Sequence, residues 1–181
     1  MFTTSRLPAL LTTAALLFGT AGCKSPSDPT PENFTVGLNA HFLEHSECLL
    51  PDAPRFPYTT GDPAELKQMN ALVASQLLTV SSEQTIRVSR YTPTPLGTRV
   101  APRFCYGHRV VTSIDSFTPP TPANGFKETQ VAYHYKIADL PVWADSEGIR
   151  TAFPEMARKT SGTSSDKATL ASTIAGWKVP D

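Results

Sequence analysis

Proline constrains this chain more than any other residue type: there are 17 among its 181 residues. Each proline fixes its own φ, removes a backbone donor and biases the preceding residue away from the helix. The expectation is a structure with many loops and few long helices. An apolar content of 40% still supplies a hydrophobic core and argues against wholesale disorder. The length suits one domain. Lys plus Arg number 16 and so do Asp plus Glu, giving zero formal charge. A neutral chain lacks the broad positive field of a general nucleic-acid binder.

The N-terminus has its own order. Arg6 and the α-amino group supply a positive start, Leu7 to Phe18 form an apolar run, and the small residues Thr20, Ala21 and Gly22 lead into Cys23. The run is too short for a permanent membrane span. This arrangement resembles the lipobox signal of bacterial lipoproteins, although that pattern prefers Leu where Thr20 stands. The resemblance covers residues 1–23. It implies cleavage before Cys23, a diacylglyceryl group on that cysteine and an N-acyl chain such as palmitate. Several acyl chains anchor stably, since each buried methylene contributes ~0.8 kcal/mol. An ordinary secretory peptide cleaved nearby is the alternative. Lys24 in place of an acidic residue favours the periplasmic face of the outer membrane over the inner membrane. The expected organisation is a signal peptide over 1–22, a lipidated Cys23 with a disordered tether to 33, and one domain over 34–181. Pro26, Pro29 and Pro31 keep the tether extended.

Of three cysteines, anchoring Cys23 leaves Cys48 and Cys105. In an oxidising compartment these two form a disulfide by default. Loop-closure entropy for their separation gives about 4 kcal/mol. A reactive thiol or a metal pair is the alternative, but neither cysteine sits in a C-x-x-C motif.

Thr30 and Pro31 can open a helix in which Phe34, Leu38 and Phe42 recur at four-residue steps. The same stretch alternates as a strand would at Phe34, Val36, Leu38, Ala40 and Phe42. Residues 48–61 read as loop. Asp62, Pro63 and Glu65 then form a helix start with capping-box spacing, and Leu66, Met69, Leu72, Val73 and Leu77 predict a helix over 63–77. Residues 85–91 alternate as a strand and end in the turn 92–97. The face from Ala71 to Leu78, followed by Tyr91, Thr94 and Gly97, resembles a winged-helix module over residues 34–100. That resemblance implies a shape only.

Residues 101–181 read as β-rich. A bent strand is expected over 103–115 with Gly107 at a bulge or turn. Val131, Tyr133, Tyr135 and Ile137 give a second strand with one buried face. A short helix falls within 139–154, a Ser/Thr/Gly-rich loop over 159–167, and a last strand over 168–179 containing Trp177. The fold class is therefore α+β, with a helical, winged-helix-like first half and an antiparallel β-rich second half.

The chemistry-bearing groupings are few. His41, Glu44 and His45 match H-x-x-E-H, the inverted zinc-protease pattern. On a helix the two histidines share a face and could grip Zn²⁺, with Glu44 as base. A solvated polar helix face explains the same residues. Ser113, Asp115 and His108 are close in sequence only, and no nucleophile elbow, dinucleotide fingerprint or P-loop occurs. Arg103, His108 and Arg109 make a modest basic spot beside Cys105. Phe104, Tyr106, Phe117, Tyr133, Tyr135, Trp143 and Trp177 suit a sheet core or, in part, a partner groove. The leading expectation is a non-catalytic, lipid-anchored envelope module that binds a protein partner, as an accessory or immunity-type lipoprotein would. It needs no cofactor and contacts no nucleic acid. The alternatives are a zinc-dependent hydrolase using His41, Glu44 and His45, or a carrier of a small apolar ligand.

Overall fold

The computed structural model describes residues 25–83, 85 and 87–180. Residues 1–24, where the signal segment and the lipidated Cys23 are expected, lie outside them. Helices and antiparallel strands mix in an α+β arrangement.

Helix α1 runs from Pro31 to Glu44, with the Thr30 hydroxyl accepting the Asn33 amide and Pro31 at the first helical position. Phe34, Gly37, Leu38 and Phe42 are buried, whereas Val36 is 70% exposed. Helical rather than alternating burial thus decides between the two readings of this stretch.

Helix α2, Pro63–Ala74, begins at Asp62, whose carboxylate accepts the amides of Ala64 and Glu65. Glu65 does not reach back to the cap. Its carboxylate instead accepts from the Thr60 hydroxyl, which in turn accepts the Asp62 amide. The helix stops short of the expected residue 77. Gln76 takes a left-handed φ of 60°, its amide donates to Val73 O, and the Leu77 amide donates to Leu72 O. Those paired bonds are a Schellman closure, with Leu77 folding back over Leu72 as the apolar contact such ends favour. Leu77 keeps its place in the core without continuing the helix.

Two sheets follow. The smaller orders β2 (Tyr58–Thr60), β4 (Val88–Pro93) and β3 (Leu78–Glu83), with β4 central and every pairing antiparallel. Strand β4 therefore extends through Pro93 instead of turning at residue 92. The larger sheet orders β1 (Glu47–Cys48), β5 (Cys105–Phe117), β7 (Phe126–Ala138), β8 (Ser164–Thr173) and β9 (Gly176–Lys178), and β6 (Thr121–Ala123) also pairs with β7. The expected bulge is present: Glu47 faces Gly107 and Cys48 faces Cys105, leaving Tyr106 extra. Gly107 has φ of 141°, and a Cβ there would stand 2.3 Å from Ala138 O.

Three expectations for the rest are corrected. The loop over 159–167 is mostly regular structure: α4 (Pro154–Thr160) occupies its start and β8 its end, leaving 161–163 between. The single last strand is a hairpin of β8 and β9 with a two-residue turn. The loop over 48–61 begins at the end of β1 and closes with β2. The short helix within 139–154 is α3 (Glu147–Ala152).

The packing does not divide the chain at residue 100. Helix α1 lies on the large sheet, where Phe34, Leu38, Phe42, Val111, Val131, Tyr133, Tyr135, Leu170 and Trp177 form one core. Helix α2 belongs to a second core with Leu77, Leu78, Tyr91, Phe104, Tyr106, Ile149, Phe153 and Met156. Strand β5 supplies both, from Tyr106 to Val111. Cys48 and Cys105 are joined by a disulfide where the two cores meet. No helix among the described residues is long and apolar enough to cross a membrane.

Candidate functional site

A cleft of about 800 Å³ opens between the two cores. Its centre is Arg109. Strand β5 carries this residue past β1 on one side and β7 on the other, so that it meets groups from three other strands and from α1.

The Arg109 guanidinium donates through Nε to Glu47 Oε1, and through Nη1 to Asp166 Oδ2 at 2.7 Å and to the Tyr133 hydroxyl at 3.3 Å. Its Cζ sits 4.5 Å from the centre of the Tyr135 ring and 5.4 Å from that of Phe42. Lys159, from α4, donates to the other Glu47 oxygen at 2.9 Å. Glu47 and Arg109 expose only 14% and 16% of their side chains. The sheet dictates this meeting. Tyr133 and Tyr135 fall on one face of β7 because strand side chains alternate, and register pairs Tyr133 with Asp166 of β8.

The electrostatics follow. Burial alone would raise the Glu47 carboxyl, but hydrogen bonds from Lys159 and Arg109 outweigh it and hold the group below its ordinary range. Asp166 is likewise held low: burial opposes ionisation, while the Lys167 amide and Arg109 favour it. Arg109 is pushed up, because its bonds to Glu47 and Asp166 more than offset desolvation. Burial pushes the Tyr106 and Tyr133 hydroxyls up, and for Tyr106 the nearby Glu47 charge adds to it. The charged floor is thus mutually neutralised and fixed. A carboxylate gripped by two cations is a poor proton acceptor or donor near neutral pH.

His41 and His45 line the cleft near the end of α1. Their rings stack with centroids 3.9 Å apart and planes 15° apart, and His45 Nδ1 lies 2.8 Å from His41 O. Glu44 points into solvent. Among the described residues, no group of three or more His, Cys, Asp or Glu side chains is placed to hold a metal. The residues Ser113, Asp115 and His108 do not assemble. Asp115 pairs with His134 at 3.1 Å, and His108 with Asp139 at 3.4 Å. Of the basic spot, Arg103 stays exposed at the cleft rim while Arg109 is drawn inside. The aromatic expectations divide similarly. Phe104, Tyr106, Tyr133, Tyr135 and Trp177 are buried, and Phe117 is 38% exposed beside Phe34.

Sequence reasoning missed the network of Glu47, Lys159 and Asp166. Only one local signal pointed to it, namely an arginine inside a strand otherwise running Val110 and Val111. No protein-family model, curated protein or solved structure matches this chain.

Proposed function

We propose that this protein is a non-catalytic, lipid-anchored module of the bacterial cell envelope that binds a protein partner through the cleft. The single observation that carries the reading is the pre-organised Arg109 floor walled by Phe42, Tyr106 and Tyr133. Arginine and aromatic side chains in a fixed, half-desolvated recess are the usual anchors of protein interfaces. Exposed Arg103 and Lys167 at the rim suit an acidic loop on the partner. The lipobox-like order ending at Cys23 supplies the anchor, and Lys24 favours the outer membrane. Helix α1 starts near that end and delivers His45 to the cleft. Its 14 residues span about 21 Å, so the cleft lies about that far from the start of the helix.

The other readings draw less support. A zinc hydrolase needs a third ligand beside His41 and His45, and an apolar carrier needs an apolar floor. The winged-helix-like reading of residues 34–100 rests on α2 leading into the β3–β4 hairpin, and α1 packs on the other core.

The test is site-specific photocrosslinking in cells that make the full chain. A crosslinker replacing Gln68, which lines the cleft, should trap one stoichiometric envelope protein. The same crosslinker replacing Val142, exposed outside the cleft, should trap none. Equal patterns from both positions would refute the cleft as the docking site. Metal analysis of dialysed protein, with His41→Ala as control, decides the zinc reading: bound zinc lost in the variant would revive it.

A further inference from the structure

One end of the large sheet gathers features that the cleft does not use. Residues 25–27 fold back onto the β8–β9 hairpin. The Ser27 hydroxyl donates to Thr173 O at 3.0 Å, and a Cβ on Gly176 would stand 3.3 Å from Pro26 O. The turn between these strands is Ile174-Ala175. Tight two-residue turns favour Asn, Asp or Gly, yet Ile174 is apolar and 101% exposed. The turn closes through Thr173, whose hydroxyl donates to Gly176 O and accepts the Ala175 amide. Nothing in that closure requires isoleucine.

The neighbouring hairpin ends at the same level. Register sets Glu128 of β7 against Ala171 of β8, which carries Phe126 alongside Thr173. Phe126 is 52% exposed, and with Pro122 and Ser172 it borders a shallow depression at this edge. The charges here are balanced. Lys127 and Lys178 are exposed, while Asp28 and Glu128 accept hydrogen bonds from the Ser25 amide and Asn124. The face is therefore apolar at its apex with both signs of charge behind it.

The position of Cys23 decides what covers this apex. Only Lys24 stands between it and Ser25, and two steps along the chain reach at most about 7 Å. We infer that the Ile174 turn and Phe126 dip into the interface of the bilayer that holds Cys23, so that the domain rests on the membrane by its β-hairpin tips. The inference rests on the lipid-anchor reading. It adds a second membrane contact and a fixed orientation. An acylated cysteine alone would leave the body free to swing. An apolar apex beside it removes exposed surface from water and limits that swing.

The experiment uses the full chain, purified from membranes in its processed form. It is reconstituted into vesicles of phosphatidylethanolamine and phosphatidylglycerol whose acyl chains carry bromine. Ile174→Trp and Val142→Trp are compared, both positions being exposed, with acylation of Cys23 read by mass spectrometry. The emission added by I174W should be blue-shifted and lose most of its intensity in brominated vesicles, while that added by V142W should lose little. If the acylated protein floats with the vesicles but both variants are quenched alike, the tip contact is overturned and the anchor stands. If Cys23 carries no acyl group and the protein does not float, the anchor reading fails and takes the tip contact with it.

Discussion

In the core under α1, one helix lies on strands of up to 13 residues, and Gly37 lets its backbone approach β9 closely. In the core around α2, short helices, a three-stranded sheet and proline-bounded segments converge on Leu72, Tyr91 and Phe104. The first depends on continuous hydrogen-bonded register. The second depends on turns, caps and chain crossings that bring distant segments together. One core therefore has a rigid platform, while the other needs to be held to it, and the disulfide and the Arg109 network sit where that holding occurs.

Breaking the disulfide should have the largest effect. Cys48 and Cys105 are separated by 57 positions, and removing their bridge frees a loop worth about 4 kcal/mol of chain entropy. Trp143 packs against the α2 core, and Trp177 lies in the α1 core. Variants Trp143→Phe and Trp177→Phe thus leave one reporter in each. Oxidised protein should unfold in urea with coincident signals from both. In the Cys48→Ala/Cys105→Ala protein the Trp143 signal should fall at lower urea than the Trp177 signal. Coincidence in both forms would mean that the two cores are one cooperative unit regardless of the bridge.

Gly37→Ala attacks the platform itself. A Cβ at residue 37 would stand 2.2 Å from Trp177 O, so helix or strand has to move apart. The expected cost is about 3 kcal/mol in urea unfolding, at the upper end for overpacking. The Trp177 reporter should shift at least as much as the Trp143 reporter. A helix-interior Ala otherwise favours the helix by about 1 kcal/mol over Gly, so a stabilised variant would show that α1 and β9 are not in this contact.

Glu47→Gln tests the junction. It leaves Arg109 and Lys159 short of a counter-charge in a largely enclosed site, for about 2 kcal/mol, less than for a fully buried pair. The pH dependence has a definite sign. The folded-state carboxyl is held below its ordinary value of 4.5. Ionised Glu47 therefore stabilises the fold fully above that value, and its contribution disappears as acid protonates it in the folded state. The gap between wild type and variant, measured by urea unfolding, should be constant near neutral pH and narrow below pH 4.5. A gap that stays constant into acid would mean that the Glu47 charge contributes nothing.

The platform was largely legible in the sequence. The Thr30 cap, alternation across Tyr133 and Tyr135, and Gly107 at its bulge are local signals with local causes. The α2 core was legible mainly at Asp62. The Schellman closure at Gln76 escaped because a left-handed glutamine carries no glycine signal, and β2 hid among prolines. The cleft was less legible still. Glu47, Arg109, Lys159 and Asp166 come from β1, β5, α4 and β8, and no spacing along the chain encodes a meeting set by strand order. The H-x-x-E-H match showed the reverse: its histidines share a helix face as the spacing demands, and the third ligand the chemistry needs is not beside them among the described residues.

The smallest expected effect probes how firmly the α2 core is held by polar contacts. Tyr91 is fully buried, yet its hydroxyl reaches Asn70 Oδ1 at 2.9 Å, on the exposed side of α2. Tyr91→Phe removes this bond while keeping the ring that fills the space between β4 and α2. Water can take over at Asn70, so the cost should be only about 0.5–1 kcal/mol, read as a small fall in the urea midpoint at unchanged m-value. A loss well above that range would mean that the hydroxyl pins α2 against β4, and that the α2 core relies on polar ties as much as on the burial of Leu72 and Phe104. A loss near zero would assign the packing of α2 to apolar contact alone, bringing this core closer to its neighbour under α1.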